Sequence, residues 1–113
     1  MSVFDIDWLK GIERLIIESD CFKKVNRFEI NGLNELKSMI IGEESFKLSK
    51  SDQERSKCLI MNCDQLSEIH IGYNSFYWYE SLECKNLRSL ISIQLDELAF
   101  HKCHLIVFES MND

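Results

Sequence analysis

A period of about 24 residues runs through the chain and restricts its fold more than any other feature. The segment 28–46 places apolar residues at Phe28, Ile30, Leu33, Leu36, Met39 and Ile41, and ends on Phe46. The segment 58–76 repeats that spacing with Cys58, Ile60, Cys63, Leu66, Ile69, Ile71 and Phe76. Two further copies start at Phe4 and Leu82, and a fifth starts at Leu105 and stops with the sequence. The starts at 4, 28, 58, 82 and 105 are separated by 24, 30, 24 and 23 residues. Every complete copy has phenylalanine 18 positions after its start: Phe22, Phe46, Phe76 and Phe100. With seven Phe in the chain, a four-for-four match at one offset arises by chance in roughly one case in 10⁵, so the repeat is real.

Composition narrows what such a repeat can build. There is one alanine, Ala99, and neither threonine nor proline, while Leu and Ile number 13 each. Helical bundles use alanine freely for propensity and for close helix contacts, so a bundle is disfavoured. The 113 residues point to a single domain, 1–113, with 45% hydrophobic residues, too many for a disordered chain. The formal charge is −6 with no basic stripe, which disfavours nucleic acid as a partner, because phosphate contacts need clustered Lys and Arg. No stretch is long and apolar enough to span a membrane. Residues 1–7 have neither the basic flank nor the apolar run of a signal peptide. The compartment stays open, with the cytoplasm favoured.

Strand-like alternation occurs twice in each copy. The main stretch covers 14–18, 38–42, 68–72 and 92–96; a shorter one covers the first three positions of each copy. Alternation points Leu15, Ile17, Met39, Ile41, Ile69, Ile71, Ile93 and Leu95 inward. The residues pointing outward are Arg14, Ile16, Glu18, Ser38, Ile40, Gly42, Glu68, His70, Gly72, Ser92, Gln94 and Asp96. Two parallel ladders around one core are expected, with the four Phe stacked inside. The polar excess at 47–57 accounts for the 30-residue spacing and is expected to be a solvated surface loop.

The frame L-x-x-L-x-x-I-x-I-G-x-x-S-F, clearest at Leu66, Ile69, Ile71, Asn74 and Phe76, resembles the leucine-rich repeat. The I-G-x-x-S-F ending is similar to BspA-like repeats and to the leucine-rich-repeat families of anaerobic protists. The resemblance implies a repeat solenoid, mainly parallel β with short turns and little helix, of about four to four and a half coils of 23–24 residues. It also implies a concave recognition face on the main strands. The motif asparagine is present only as Asn74, with Asp20, Glu44 and Leu98 in its place elsewhere, so no continuous asparagine ladder is expected.

The chemistry-bearing residues are sparse. Cys58, Cys63 and Cys84 occupy inward positions, and Cys21 sits where the other copies have Ser45, Ser75 and Ala99. Buried free thiols are therefore expected at these sites, and Cys103 is grouped with them. His101, Cys103 and His104 resemble a ligand cluster but lack the fourth ligand of a structural zinc site. No nucleophile-elbow pattern is present. The expectation is a non-catalytic protein with no cofactor and no metal.

Two surfaces are candidates for binding a protein partner of unknown identity. One is the outward strand face, with Ile16 and Ile40 side by side among Arg14, Glu18, Ser38, Glu68, His70, Ser92, Gln94 and Asp96. The other is the aromatic turn Tyr73, Tyr77 and Trp78, since other copies place Lys23, Lys24, His101 and Lys102 opposite the last two. The alternative is a structural or assembly subunit, or a fragment of a larger leucine-rich-repeat protein, whose ends pair with a neighbour. Phe4 and Ile6 at one end and Leu105–Phe108 at the other are core positions without a polar cap, so end-to-end self-association through these edges is expected.

Overall fold

The computed structural model describes residues 10–23 and 25–109 in full and the backbone of 3–5. Among the described residues nine strands alternate between two sheets, and each pairing between them is parallel. Strands β1 (Val3–Asp5), β3 (Arg27–Asn31), β5 (Lys57–Met61), β7 (Ser81–Lys85) and β9 (Leu105–Glu109) form one sheet in that order. Strands β2 (Arg14–Ile17), β4 (Ser38–Ile41), β6 (Glu68–Ile71) and β8 (Ser92–Leu95) form the other. Helix among the described residues is limited to a 3₁₀ turn at Lys50–Asp52. The chain packs into 35 × 28 × 22 Å with a radius of gyration of 12.9 Å.

Register follows the sequence period. Leu15 pairs with Met39, Met39 with Ile69 and Ile69 with Ile93, so like positions of successive copies lie side by side. The last strand departs by one residue from the frame read in the sequence: Leu82 pairs with Ile106, not Leu105. Leu105–Phe108 is apolar throughout, so alternation alone could not choose its phase.

The inward residues of both sheets meet in one core that includes Phe28, Ile30, Leu36, Met39, Ile41, Ile60, Leu66, Ile69 and Ile71. Between the sheets runs the phenylalanine stack. Phe22–Phe46, Phe46–Phe76 and Phe76–Phe100 have ring centroids 5.3, 4.8 and 4.7 Å apart and lie within 15° of parallel. All four Phe hold positive φ, between 54° and 58°, a region costly for a residue with a Cβ. Asp20, Glu44, Asn74 and Leu98, two positions earlier, do so as well. Each copy thus turns after its main strand through two left-handed residues, the first of which suits the tolerance of Asn74 for this region.

The residues between strand and phenylalanine have direct steric and hydrogen-bonding reasons. A Cβ on Gly42 would lie 2.6 Å from Ser19 N, and one on Gly72 would lie 2.8 Å from Glu43 N. Backbones of adjacent copies approach too closely there for a side chain. Ser75 Oγ donates to Gly42 O at 2.7 Å and accepts from Ser45 N at 3.1 Å. Ser45 Oγ likewise donates to Glu18 O at 2.9 Å and accepts from Cys21 N at 3.3 Å. Each serine therefore fastens its copy to the previous one.

An asparagine chain does exist, though not at the motif position: Asn62 Nδ2 donates to Asn31 Oδ1 and Asn86 Nδ2 to Asn62 Oδ1, both at 2.9 Å. The segment 47–57 is also less solvated than expected. Leu48 and Ser56 are buried, and Gln53 Nε2 donates to Lys102 O at 2.6 Å, reaching two copies ahead. Phe4 and Ile6, named for the first edge, have side chains outside the described residues.

Candidate functional site

The outward face of the four-stranded sheet carries the binding residues named from the sequence. Ile16 pairs with Ile40, Ile40 with His70 and His70 with Gln94 along one row. Arg14, Ser38, Glu68 and Ser92 form the adjacent row. Ile16 is 54% exposed and Ile40 36%, whereas their inward neighbours Leu15 and Met39 are buried. Arg14, Glu18, Glu68, Ser92 and Gln94 are exposed; Ser38, His70 and Asp96 are half-buried. A shallow depression of about 160 Å³ opens on this face, lined by Ser38, Ile40, Glu68, His70, Ser92 and Gln94 with Met39 and Ile69 below.

One polar group on the face is fixed. His70 Nε2 lies 3.0 Å from Asp96 Oδ2, and Gln94 Nε2 donates to Asp96 Oδ1 at 2.9 Å. The hydrogen bond with His70, followed by that from Gln94, holds the Asp96 carboxyl below the usual aspartate range. Both oxygens of Asp96 are thereby occupied, which leaves Glu18 and Glu68 as the open carboxylates of a mildly acidic face.

The aromatic turn divides. Tyr73 is 39% exposed, but Tyr77 and Trp78 are half-buried. Tyr77 packs against Trp78 and His101, with centroids 5.7 and 5.1 Å away, and Lys47 lies 5.8 Å above its ring. Lys102 covers Trp78 at 5.9 Å. The two rings thus rest on neighbouring copies and are only partly open to solvent.

The His101, Cys103 and His104 run is not gathered to one point. His101 lies against Tyr77, Cys103 Sγ contacts Glu80 O and Leu105 O, and His104 Nδ1 lies 3.6 Å from Glu80 Oε1. Among the described residues no group of three His, Cys, Asp or Glu is placed to hold a metal. The five thiols are free. Burial pushes Cys58 and Cys63 up, and Cys84 to about 12, which leaves them poor nucleophiles.

The sequence did not point to a second cavity, of about 400 Å³, between the 47–57 segment and the five-stranded sheet. Arg55, Lys57, Glu80, Ser81 and His104 are among its lining residues. Arg55 N donates to Glu80 Oε2 at 3.2 Å, closing one side. The signal was the lengthened spacing itself, since extra chain must lie over neighbouring copies. Among the described residues no helix is long and apolar enough to cross a membrane. Comparison with protein-family models, curated proteins and solved structures returns no match.

Proposed function

We propose that this protein is a non-catalytic interaction module, a short solenoid of leucine-rich-repeat type whose four-stranded sheet presents a recognition face to a protein partner. The observation that carries the reading is the contrast between the two sides of that sheet. Inward positions are apolar in all four strands, while outward positions change from copy to copy and include the exposed pair Ile16 and Ile40. Exposed adjacent aliphatics within a polar rim have the composition of an interface centre. Glu18 and Glu68 beside them favour a partner segment bearing basic residues. Tyr73 and the half-buried Tyr77 and Trp78 offer a smaller second contact.

A displayed peptide library selected on the folded protein tests this. Binders should be enriched in Lys or Arg next to an aliphatic residue, and Ile16→Glu with Ile40→Glu should weaken them at least tenfold without changing the far-UV circular dichroism. Binders that ignore the double variant would refute the face. Unfolding of the double variant would show that the outward phase of these strands is wrong.

A further inference from the structure

We propose that two copies of this chain associate through the outer edge of β9, paired antiparallel about a two-fold axis at Val107. β9 hydrogen-bonds to β7 on one side, and among the described residues no strand lies on its other side. The four-stranded sheet ends one row earlier, at β8. Among the described strands β9 is therefore the outermost at this end.

Along Leu105–Phe108 the edge strand is apolar. Ile106 and Phe108 point inward, opposite Leu82 and Cys84, yet are 48% and 47% exposed where those two are at 0%. They are core positions that no described residue covers. The devices that keep edge strands apart are lysine, proline or a bulge. β9 has none of them, and its one charge is the terminal Glu109.

The pattern of the strand identifies what covers it. Antiparallel pairing centred on Val107 sets Ile106 opposite Phe108 of the second copy, and Phe108 opposite its Ile106. Leu105 then faces Glu109, and Val107 faces itself. An axis normal to the sheet keeps the inward sides of both copies on one side, so the two pairs join the cores. The charges allow it: the two Glu109 carboxylates fall on the order of 14 Å apart along the strands, beyond the screening length at physiological salt. Lys85 Nζ, 3.9 Å from Glu109 Oε1, further offsets each one. Stacking β9 on another copy's β1 would instead give an open-ended filament, since a head-to-tail contact does not close.

Sedimentation equilibrium from 1 to 100 µM, with the full chain, decides between these. A monomer–dimer equilibrium is expected, weakened at least tenfold by Val107→Lys, whose side chain points outward. Val107→Cys supplies the geometry independently of that variant's folding. Paired residues sit about 4.5–5.5 Å apart in an antiparallel ladder, within disulfide reach. Mild oxidation should therefore give a 107–107 cross-link by peptide mapping, and Leu105→Cys should give no 105–105 link. A monomer throughout, growth beyond a dimer, or a 105–105 link would overturn the proposal. The Ile16→Glu, Ile40→Glu variant should dimerise unchanged, which separates this edge from the recognition face.

Discussion

Replacing Phe76 by alanine should remove more stability than any other single truncation in the phenylalanine stack. Phe76 is fully buried, lies between Phe46 and Phe100 at 4.8 and 4.7 Å, and takes edge contacts from Phe28 at 5.4 Å and Tyr79 at 4.9 Å. Truncating a buried Phe costs about 3–5 kcal/mol. Aromatic pairs add roughly 0.5–1.5 kcal/mol each beyond burial, so the loss belongs at the top of that range, about 5 kcal/mol. Phe22, by contrast, is 43% exposed at the end of the stack, and Phe22→Ala should cost about 1–2 kcal/mol by the same transfer arithmetic. Backbone conformation supplies an internal control. Phe76 holds φ near 55°, where alanine keeps the Cβ strain and glycine releases roughly 1 kcal/mol of it. Phe76→Gly should thus be no less stable than Phe76→Ala, opposite to the usual order in regular structure. Urea denaturation followed by tryptophan fluorescence and circular dichroism gives the three values. Equal losses at positions 22 and 76, or a loss below about 1 kcal/mol at 76, would refute the stacked-core account.

Two further outcomes follow from the same packing. Gly72→Ala should destabilise by about 1–3 kcal/mol as an overpacking change, since its Cβ would meet only backbone atoms, Glu43 N, Gly42 C and Ile41 O, at 2.8–2.9 Å; the melting temperature checks it. Cys58 and Cys84 should resist alkylation at pH 8 in the native state while half-buried Cys21 and Cys103 react sooner, because burial holds the Cys84 thiol near 12 and Cys58 well above the ordinary value; mass mapping of a timed iodoacetamide reaction reads the order.

The strands were legible because two periods coincide in the sequence. Alternation over two residues chose the inward side, and recurrence over about 24 placed like residues side by side, as the pairing of Leu15, Met39, Ile69 and Ile93 shows. The outward candidates Ile16 and Ile40 were found by the same phase. What escaped the sequence depends on neighbours it does not display. Leu59 points to the outer side of the five-stranded sheet yet is only 8% exposed, because it lies between Glu29 and Glu83. Those carboxylates are themselves held by Arg27 and Lys85 at 3.0 and 3.2 Å. The chain of Asn31, Asn62 and Asn86 was hidden by its frame: Gly32, not Asn31, occupies the place of Asn62, and the Asn31 side chain reaches it from one residue before. The aromatic turn looked like free surface because its covering lysines, Lys47 and Lys102, come from neighbouring copies.

The segment 47–57 makes the same point with a sharper consequence. Its composition is that of a solvated loop, and on that basis every polar residue in it should be dispensable. Ser56 is instead fully buried. Its Oγ accepts from Glu80 N at 2.8 Å and donates to Gln53 O at 2.5 Å, joining the inserted chain to the copy that follows. Lys57 N donates to Asn26 O at 3.0 Å on the other side. The hydroxyl therefore stands at the centre of a bridge that spans the lengthened copy. Ser56→Ala removes the acceptor of the part-buried Glu80 N–H, a loss of about 1–3 kcal/mol. Ser51→Ala, on the exposed 3₁₀ turn, should change stability by less than about 0.5 kcal/mol. Parallel urea titrations of the two variants test the bridge, because a solvated loop would make both substitutions neutral. A Ser56→Ala protein as stable as the parent would return the segment to that status and remove the reason its extra residues lie over the neighbouring copies.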